Sequence, residues 1–177
     1  MDAFTCYPVS MITDLVQIRR LGENKRDENE RFRRFLKSHN FVERQFRRIA
    51  QQVEDSIDCT VCANCCREAT VRLNERDIPK LAKFLGVKPG VFIRDYTEET
   101  EDEGLILKRS EEGCIFLEET TCTVYEARPH NCEYFPHLLR GEGSLQSRMW
   151  EFKDRACYCP IVYNTLEKFK EDSGFRG

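Results

Sequence analysis

Four cysteines lie within eight residues of this chain, in the run Cys59-x-x-Cys62-x-x-Cys65-Cys66. Thiolates bind soft metals, and two-residue gaps allow successive sulfur atoms to face one metal centre. Further along the chain come Cys114, Cys122, Cys132, Cys157 and Cys159. A total of 10 cysteines among 177 residues is far above ordinary usage, so the pattern predicts a metalloprotein.

The interpretation of such a cysteine count depends on whether the protein is located in an oxidising or a reducing compartment. The N-terminus, Met1 to Phe4, lacks the features of a signal peptide, and no apolar stretch is long enough to span a membrane. We therefore expect a cytoplasmic location, where metal or redox chemistry is favoured over a disulfide framework. The net charge of −3, without a dense basic patch around the cysteines, gives no reason to expect a nucleic-acid partner or a membrane surface.

The first three cysteines of the run favour iron–sulfur chemistry over zinc. Cys59, Cys62 and Cys65 are spaced like three consecutive ligands of a bacterial ferredoxin, whose remaining cysteine is followed by proline. Cys159-Pro160 has that same local context. Structural zinc sites more often use two separate C-x-x-C pairs, which this chain lacks.

The double cysteine indicates a second centre. Adjacent side chains diverge in most backbone conformations, so Cys65 and Cys66 are expected to face different metals. The partners of Cys66 would then be Cys114, Cys122 and Cys132. Eight ligands divided in this way would also suit a two-zinc protein, and spacing alone does not settle the division. Cys6 is expected to be spare, and Cys157 is either spare or a substitute for Cys159.

Basic and imidazole side chains near the cysteines are candidates for supporting roles. Arg67, Arg128 and Arg155 lie close to cysteines and could offset thiolate charge, and Arg67 and Arg128 are the preferred candidates. Surface arginines in a heavily charged protein are an equally good interpretation. His130 and His137 flank one of the cysteines and are alternative ligands, less favoured because thiolates are in excess.

The elements that position these residues are expected to form a small α+β domain that bound metal stabilises. It should contain short hairpins, several helices and a long N-terminal helix. Residues 1–54 are interpreted as an N-terminal helical segment packed on the core, and residues 55–177 as the cysteine-cluster domain. Between Lys25 and Ser56, apolar residues recur at three- and four-residue steps, which predicts one long helix. Residues 1–10 are expected to be loosely attached.

Local signals predict further elements. Asn74 and Asp77 form a capping-box pattern before a helix that Gly86 ends, and Pro160 begins a C-terminal helix to about Lys170. The remaining expectations are a short amphipathic stretch at 11–21 that Gly22 ends or bends, a solvated acidic loop at 98–103, a hairpin pairing 105–108 with 114–117, a second turn at 118–121, a helical turn carrying Cys132, and a strand at 148–152.

Taken together, the motifs resemble a known family. The segments are CTVCANCCR (59–67), CIFL (114–117), CTVYEARPHNCEYFP (122–136) and CYCP (157–160). They resemble the YkgJ-type cysteine-cluster family, known as the CxxCxxCC zinc- or iron-chelating domain, over roughly residues 55–165. The family's eight typical cysteines correspond to Cys59, Cys62, Cys65, Cys66, Cys114, Cys122, Cys132 and Cys159. Two positions depart from the family pattern: Ala63-Asn64 replaces a common glycine, and Glu133 replaces a basic residue.

The resemblance implies metal chelation and leaves the biological role open. The leading hypothesis is a cytoplasmic protein that holds zinc or, preferentially, an iron–sulfur cluster for metal handling, redox sensing or electron transfer. A related domain in flagellin lysine N-methylases suggests an alternative, a metal-dependent protein-modifying enzyme, although no catalytic residues are identifiable. A third hypothesis is an interaction adaptor that docks a protein partner through the helix at 25–56.

Overall fold

Helices account for most of the regular structure in the computed structural model, which describes residues 11–39, 41, 43–141 and 143–177. Within these residues there are 10 α-helices and three two-stranded antiparallel sheets, with 56% helix and 10% strand, so the predicted α+β class is confirmed. The segment 1–10, with Cys6, lies outside the described residues. None of the described helices is long and apolar enough to cross a membrane.

The elements follow one another in a simple order. The helices are α1 (Leu15–Asn24), α2 (Arg26–Ser38), α3 (Glu43–Glu54), α4 (Cys59–Cys62), α5 (Asn64–Glu68), α6 (Asp77–Leu85), α7 (Pro89–Tyr96), α8 (His130–Glu133), α9 (Leu145–Arg155) and α10 (Pro160–Asp172). The strands are β1 (Thr97–Thr100), β2 (Gly104–Leu107), β3 (Arg109–Ser110), β4 (Gly113–Cys114), β5 (Leu117–Glu118) and β6 (Thr121–Cys122). Each strand pairs with its neighbour in sequence, β1 with β2, β3 with β4 and β5 with β6.

Two hydrophobic cores hold the elements together. The helical core joins the first three helices to α9 and α10, and its centre is aromatic: Phe46 packs edge-on against Phe169 at 5.1 Å and stacks on Phe152 at 6.2 Å. The second core, called here the cysteine core, comprises Val71, Leu81, Ala82, Phe92, Leu107, Cys114, Phe116, Val124 and Ala127. Burial of these side chains is the main favourable contribution to folding in each half.

The predicted single helix from Lys25 to Ser56 is wrong, because the chain forms α2 and α3 instead. The Ser38 hydroxyl donates to the Phe35 carbonyl at 3.0 Å, and the Nδ1 atom of His39 lies 2.9 Å from the same oxygen. His39 is extended, with φ −120° and ψ 138°. Serine and histidine are weak helix formers, and here their side chains compete with backbone amides for the Phe35 carbonyl at the end of α2. Since both helices bury one face in the same core, the apolar periodicity continues across the break.

The strand expected at 148–152 is also wrong, because these residues lie within α9. Ser144 caps this helix, with its side-chain oxygen accepting a hydrogen bond from the Ser147 amide at 3.2 Å. The buried positions are Leu145, Arg148, Met149 and Phe152, and their spacing is that of one helical face.

The strand pairing between the acidic segment and Leu107 differs from the prediction. Leu105 pairs with Glu99 of β1, rather than with the segment 114–117, and the acidic residues expected to form a loop supply this strand. Glu98 and Glu99 are both exposed although successive side chains of a strand point to opposite faces, so both faces of this two-stranded sheet reach solvent here. The predicted turns at 111–113 and 118–121 are present, closing β3–β4 and β5–β6.

Three local predictions are confirmed. The Asn74 side chain accepts from the Asp77 amide at 3.0 Å, while the Asp77 carboxylate accepts from the Asn74 amide at 3.0 Å, which completes the capping box. Gly86 ends α6 with φ +70°, and Pro160 begins α10. Short-range signals of this kind depend only on neighbouring residues, so they can be recognised in the sequence without knowledge of the tertiary structure.

Gly22 lies within α1, which continues to Asn24, so the expectation that this glycine ends or bends the helix is wrong. A Cβ atom at Gly22 would lie 2.5 Å from the carbonyl oxygen of Ala156 and 2.6 Å from the Cα of Cys157. The glycine therefore allows α1 to pack directly against the backbone at the end of α9.

Gly22→Ala should lower the free energy of unfolding by about 2 kcal/mol, because the added methyl group meets backbone that cannot rotate away. Gly90 in α7 is the matched control, since nothing lies within 4 Å of its Cβ position. Gly90→Ala should raise the free energy of unfolding by about 0.5–1 kcal/mol through the lower entropy of the unfolded chain. Urea unfolding of both variants measures the difference, and equal effects would contradict the packing argument.

Candidate metal centre

Two short helices present the clustered cysteines. Asp58 caps α4 by accepting from the Thr60 amide at 2.8 Å, and Ala63 separates α4 from α5. Ala63 has φ +47°, a left-handed conformation that glycine adopts more readily, which explains the glycine common at this point of the family pattern. The sharp turn directs Cys59 and Cys62 from one helix and Cys65 from the next toward a shared region.

Asn64 ties this turn to the distant C-terminal cysteines. Its side-chain nitrogen donates to the Tyr158 carbonyl at 2.7 Å, and the residue is buried. The contact brings the segment before Pro160 against α4 and α5. Cys159 therefore lies beside cysteines that are far from it in sequence.

A small cavity of about 20 Å³ lies at this junction. The cysteines that line it are Cys59, Cys62, Cys65 and Cys159. The other walls are mainly apolar or aromatic, including Ile57, Phe135 and Ile161, and contain no carboxylate or imidazole among the described residues. Among the described residues, its soft donors are thus four sulfur atoms, a set that suits zinc or iron.

A larger cavity of about 430 Å³ adjoins it. The four cysteines that line this cavity but not the smaller one are Cys66, Cys114, Cys122 and Cys132. Cys59 and Cys65 line both cavities, which makes the two spaces neighbours. Apolar side chains such as Val71, Leu107 and Phe116 form much of the remaining wall.

Hairpins and one helical turn position the second group. Cys114 ends β4, Cys122 ends β6, and Cys132 lies in α8. The β3–β4 hairpin packs directly on the double cysteine, because a Cβ atom at Gly113 would lie only 2.5 Å from the Cys66 carbonyl oxygen. Gly113 has φ +131°, a conformation that other residues rarely adopt.

The cysteines share cavities without forming a finished coordination shell. All nine described cysteines are free thiols. In the described part of the chain, no three His, Cys, Asp or Glu side chains are arranged to hold a metal ion. Cysteines can line one cavity without their sulfur atoms lying close enough to a single point to bind one metal ion, so this finding is compatible with the shared cavities. Ligation requires the side chains to rotate about their Cα–Cβ bonds, which staggered cysteine rotamers permit.

Burial makes most of these thiols hard to ionise. Burial, with the charges of neighbouring groups, raises the pKa of Cys59 to about 11. Burial also raises the pKa of Cys159 to about 12, partly opposed by backbone amides of Val162 and Ile161. The pKa of Cys132 is raised as well, chiefly by burial and then by the neighbouring cysteines. Thiolates in such surroundings need a cation to be stable, and a bound metal would supply one.

Cys66 is the exception among the buried thiols. A hydrogen bond from the Cys65 side chain lowers the pKa of Cys66 to about 7 against the effect of burial, and the charges of Arg67 and Arg109 act in the same direction. The same hydrogen bond raises the pKa of Cys65. The two adjacent sulfur atoms therefore interact, although only Cys65 reaches the smaller cavity.

The arginines near the cysteines have different partners. Arg67 donates to the Cys62 carbonyl at 3.2 Å and to the Glu119 carbonyl at 2.5 Å, so it links the cysteine run to the β5–β6 turn. Arg128 lines the larger cavity with its guanidinium 4.0 Å from the centre of the Tyr125 ring. Its charge opposes the rise in the pKa of Cys122 caused by burial.

Arg109 contacts the cysteine run and was not among the residues predicted from the sequence. It donates to the Ala69 carbonyl at 2.6 Å and to the Arg67 carbonyl at 2.5 Å, which fastens β3 to the end of α5. Its charge also favours the Cys66 thiolate. No cysteine lies within four positions of Arg109, so no spacing signal pointed to it.

The remaining candidates from the sequence lie away from the two cysteine cavities. Cys157 is buried, its sulfur atom 3.5 Å from Nη2 of Arg26 and 3.5 Å from the Lys153 carbonyl, and it lines neither cavity. His130 and His137 line a third cavity together with Arg155.

Comparison with known proteins identifies the family. The family model described as "CxxCxxCC: Putative zinc- or iron-chelating domain" matches residues 58–160. No curated protein and no solved structure matches the chain. The matched segment covers more than half of the sequence and contains every cysteine that lines the two cavities. The chain therefore belongs to the CxxCxxCC family of zinc- or iron-chelating domains.

Proposed function

We propose that this chain is a cytoplasmic metal-binding protein that chelates metal through two adjoining groups of four cysteines. The first group is Cys59, Cys62, Cys65 and Cys159, and the second is Cys66, Cys114, Cys122 and Cys132. The observation that supports the division is that all four members of the first group line the smaller cavity, whereas the members of the second group line only the larger one, which Cys59 and Cys65 also reach. Arg67 and Arg128 offset thiolate charge in this proposal, and Arg109 joins them.

We favour iron–sulfur chemistry over zinc. The ferredoxin-like spacing of Cys59, Cys62 and Cys65 supports iron, and so does the Cys159-Pro160 context. The larger cavity, at about 430 Å³, also exceeds the space that one tetrahedral ion requires. Its apolar walls would limit water at a cluster, and solvent access is one determinant of reduction potential. A cluster held in this way would support electron transfer or redox sensing.

Metal and sulfide analysis of protein purified without oxygen tests this function. We expect iron with an equal amount of acid-labile sulfide, and a brown chromophore that dithionite bleaches reversibly. Colourless protein with about two zinc ions per chain, as eight thiolates in tetrahedral sites imply, would refute the redox role and leave structural chelation. Protein that retains neither metal after reconstitution with both would refute the proposal as a whole.

A metal-dependent protein-modifying enzyme is the second candidate. The specific observation in its favour is the larger cavity beside Cys132 and Arg128, which is roomy enough for a small substrate group. Metal-loaded protein incubated with a lysine-bearing acceptor protein and isotopically labelled S-adenosylmethionine would transfer label if it is a methylase. Absence of transfer, with the metal content intact, would remove this candidate.

The burial of the apolar faces of α2 and α3 weighs against the adaptor hypothesis. That hypothesis required an apolar helical face at 25–56 that was available to a partner. The apolar residues of α2 and α3, including Phe32, Phe46 and Ile49, are instead buried in the helical core. We therefore expect deletion of these helices to unfold the helical core rather than to abolish one complex selectively.

A further inference from the structure

A third cavity, of about 350 Å³, adjoins the larger cysteine-lined cavity at Asn131, which lines both. Arg72 and Asn74 line it from the side of the cysteine core, while Ser147, Arg148 and Arg155 line it from α9. The cavity therefore occupies the junction between the two halves of the fold. No cysteine lines it among the described residues, so its chemistry is separate from thiolate chemistry.

The charged groups around this cavity favour an anion. Arg72, Arg148 and Arg155 oppose a single carboxylate, that of Glu151, among the described lining residues. The Arg155 guanidinium donates a hydrogen bond to the Glu151 carboxylate, and this ion pair holds the Arg155 side chain in place. With neutral histidines the lining carries a formal charge of +2. Such an excess of guanidinium groups around a concave site attracts oxyanions.

Arg148 and Arg72 have different positions in the cavity. Arg148 is buried and donates to the carbonyls of His137, at 3.0 Å, and of Gly143, at 2.7 Å, so it fixes the loop that closes one side. Arg72 is more than half exposed and donates through Nε to Glu103. Its two terminal nitrogens have no partner among the described residues. They are therefore available to a ligand.

His137 adds a hydrogen-bond acceptor to this basic wall. Its relative exposure is 9%, and its Nε2 atom has no hydrogen-bond partner within the described part of the chain. Burial and the charge of Arg155 lower the pKa of His137 to about 4, so the ring is neutral near pH 7. A backbone group of Asn131 acts on the pKa of the ring in the opposite direction, as a carbonyl acceptor does. A proton on Nδ1, directed to that carbonyl, leaves the lone pair on Nε2.

We propose that this cavity binds a small oxyanion that also carries a hydroxyl hydrogen. The anionic oxygens would accept hydrogen bonds from Arg72 and Arg155, and the hydroxyl would donate to Nε2 of His137. An unpartnered buried acceptor is costly, so the site should discriminate strongly against anions that lack this hydrogen. Hydrogen phosphate and hydroxycarboxylates share the required chemistry.

Isothermal titration of the intact, metal-loaded protein with two matched pairs of anions tests the proposal. Phosphate and sulfate form one pair, and malate and succinate form the other; the first member of each carries the hydroxyl at pH 7. We expect phosphate, malate or both to bind at least about tenfold more tightly than the matched anion, the effect of one buried hydrogen bond. The pair that shows this preference identifies the source of the oxyanion.

Variants then assign the preference to named residues. Arg72→Gln should weaken binding of the preferred anion about tenfold, because it removes a charged hydrogen bond from an exposed side chain without disturbing a core. Arg94→Gln is the matched control, since Arg94 is an exposed arginine paired with Asp95 and lies outside the cavity. His137→Asn should abolish the preference within the pair, and asparagine tolerates the positive φ of 66° found there.

Three results would overturn the proposal. They are no saturable binding of any of the four anions, equal affinity within both pairs, and equal effects of Arg72→Gln and Arg94→Gln. Because Arg72→Gln is expected to fold, a failure of His137→Asn to fold would leave the test in force. Metal content, measured on the same samples, reports separately on the proposed cysteine sites.

Discussion

Cys132→Ser should remove the metal of one proposed site, whereas Cys157→Ser should leave the metal content unchanged. Both side chains are largely buried, so the comparison separates ligation from simple loss of a buried sulfur atom. Cys132 lines the larger cavity with five other cysteines, three of which are members of its own proposed group, whereas Cys157 contacts Arg26 and lines neither cavity. Serine is a poor ligand for zinc or iron beside three thiolates.

The measurement is metal and sulfide per chain for the two variants and for Cys159→Ser, a member of the other group. We expect Cys132→Ser and Cys159→Ser each to lose about half of the metal, with the loss confined to one group. If either variant loses all of it, the eight cysteines act as one centre and the division into two groups is wrong. If Cys157→Ser loses as much as the others, Cys157 is a ligand.

Loss of a site should also lower stability, because metal-binding free energy is folding free energy when the site is not formed in the unfolded chain. Among the described residues, the cysteine core buries fewer side chains than the helical core, and they come from α6, α7, short strands and loops. We therefore expect Cys132→Ser to lower the thermal midpoint of this half by several degrees or more, while Cys157→Ser changes it little.

The sequence predicted best those features that depend on neighbouring residues. The Asn74–Asp77 capping box, the end of α6 at Gly86 and the start of α10 at Pro160 all arise within a few positions of the signal. Local backbone chemistry decides these features without reference to the rest of the fold.

Tertiary contacts decided the features that were predicted wrongly. Gly22 reads locally as a helix terminator, but a Cβ there would meet Ala156, which is far away in sequence. The periodic pattern of 25–56 continues through a break because α2 and α3 share one core, so the pattern itself contains no sign of the break. Strand β1 forms from an acidic segment because pairing with β2 provides hydrogen-bond partners for its backbone N–H and C=O groups.

The sequence indicated the eight cysteines of the candidate site and suggested their division into two groups, although spacing alone did not settle it. The small and large cavities that the two groups line depend on how the hairpins pack on α5. The Cys65–Cys66 pair illustrates the limit: divergence of adjacent side chains suggested two centres, and the two sulfur atoms nevertheless interact. Arg109 and Gly113 carry no motif signal, because their importance lies in backbone contacts with the double cysteine.

Gly113→Ala should have the second large effect, because it would separate the β3–β4 hairpin from the double cysteine. The added methyl group would lie 2.5 Å from the Cys66 carbonyl oxygen and 2.8 Å from the Cα of Arg67, both backbone atoms. Alanine is also strained at φ +131°. Overpacking and backbone strain together should lower the free energy of unfolding by about 3 kcal/mol or more. Because Cys114 follows directly, the metal of the Cys66 group should be lost as well.

Gly104→Ala is the control that separates strain from contact. Gly104 also has a positive φ, +69°, but nothing lies within 4 Å of its Cβ position. Strain alone should cost about 1 kcal/mol there and leave the metal content unchanged. Denaturant unfolding and metal analysis of both variants decide the matter. If Gly113→Ala retains its full metal content, close packing of the hairpin on Cys66 is not needed for chelation, and the role proposed for β4 in placing Cys114 is wrong.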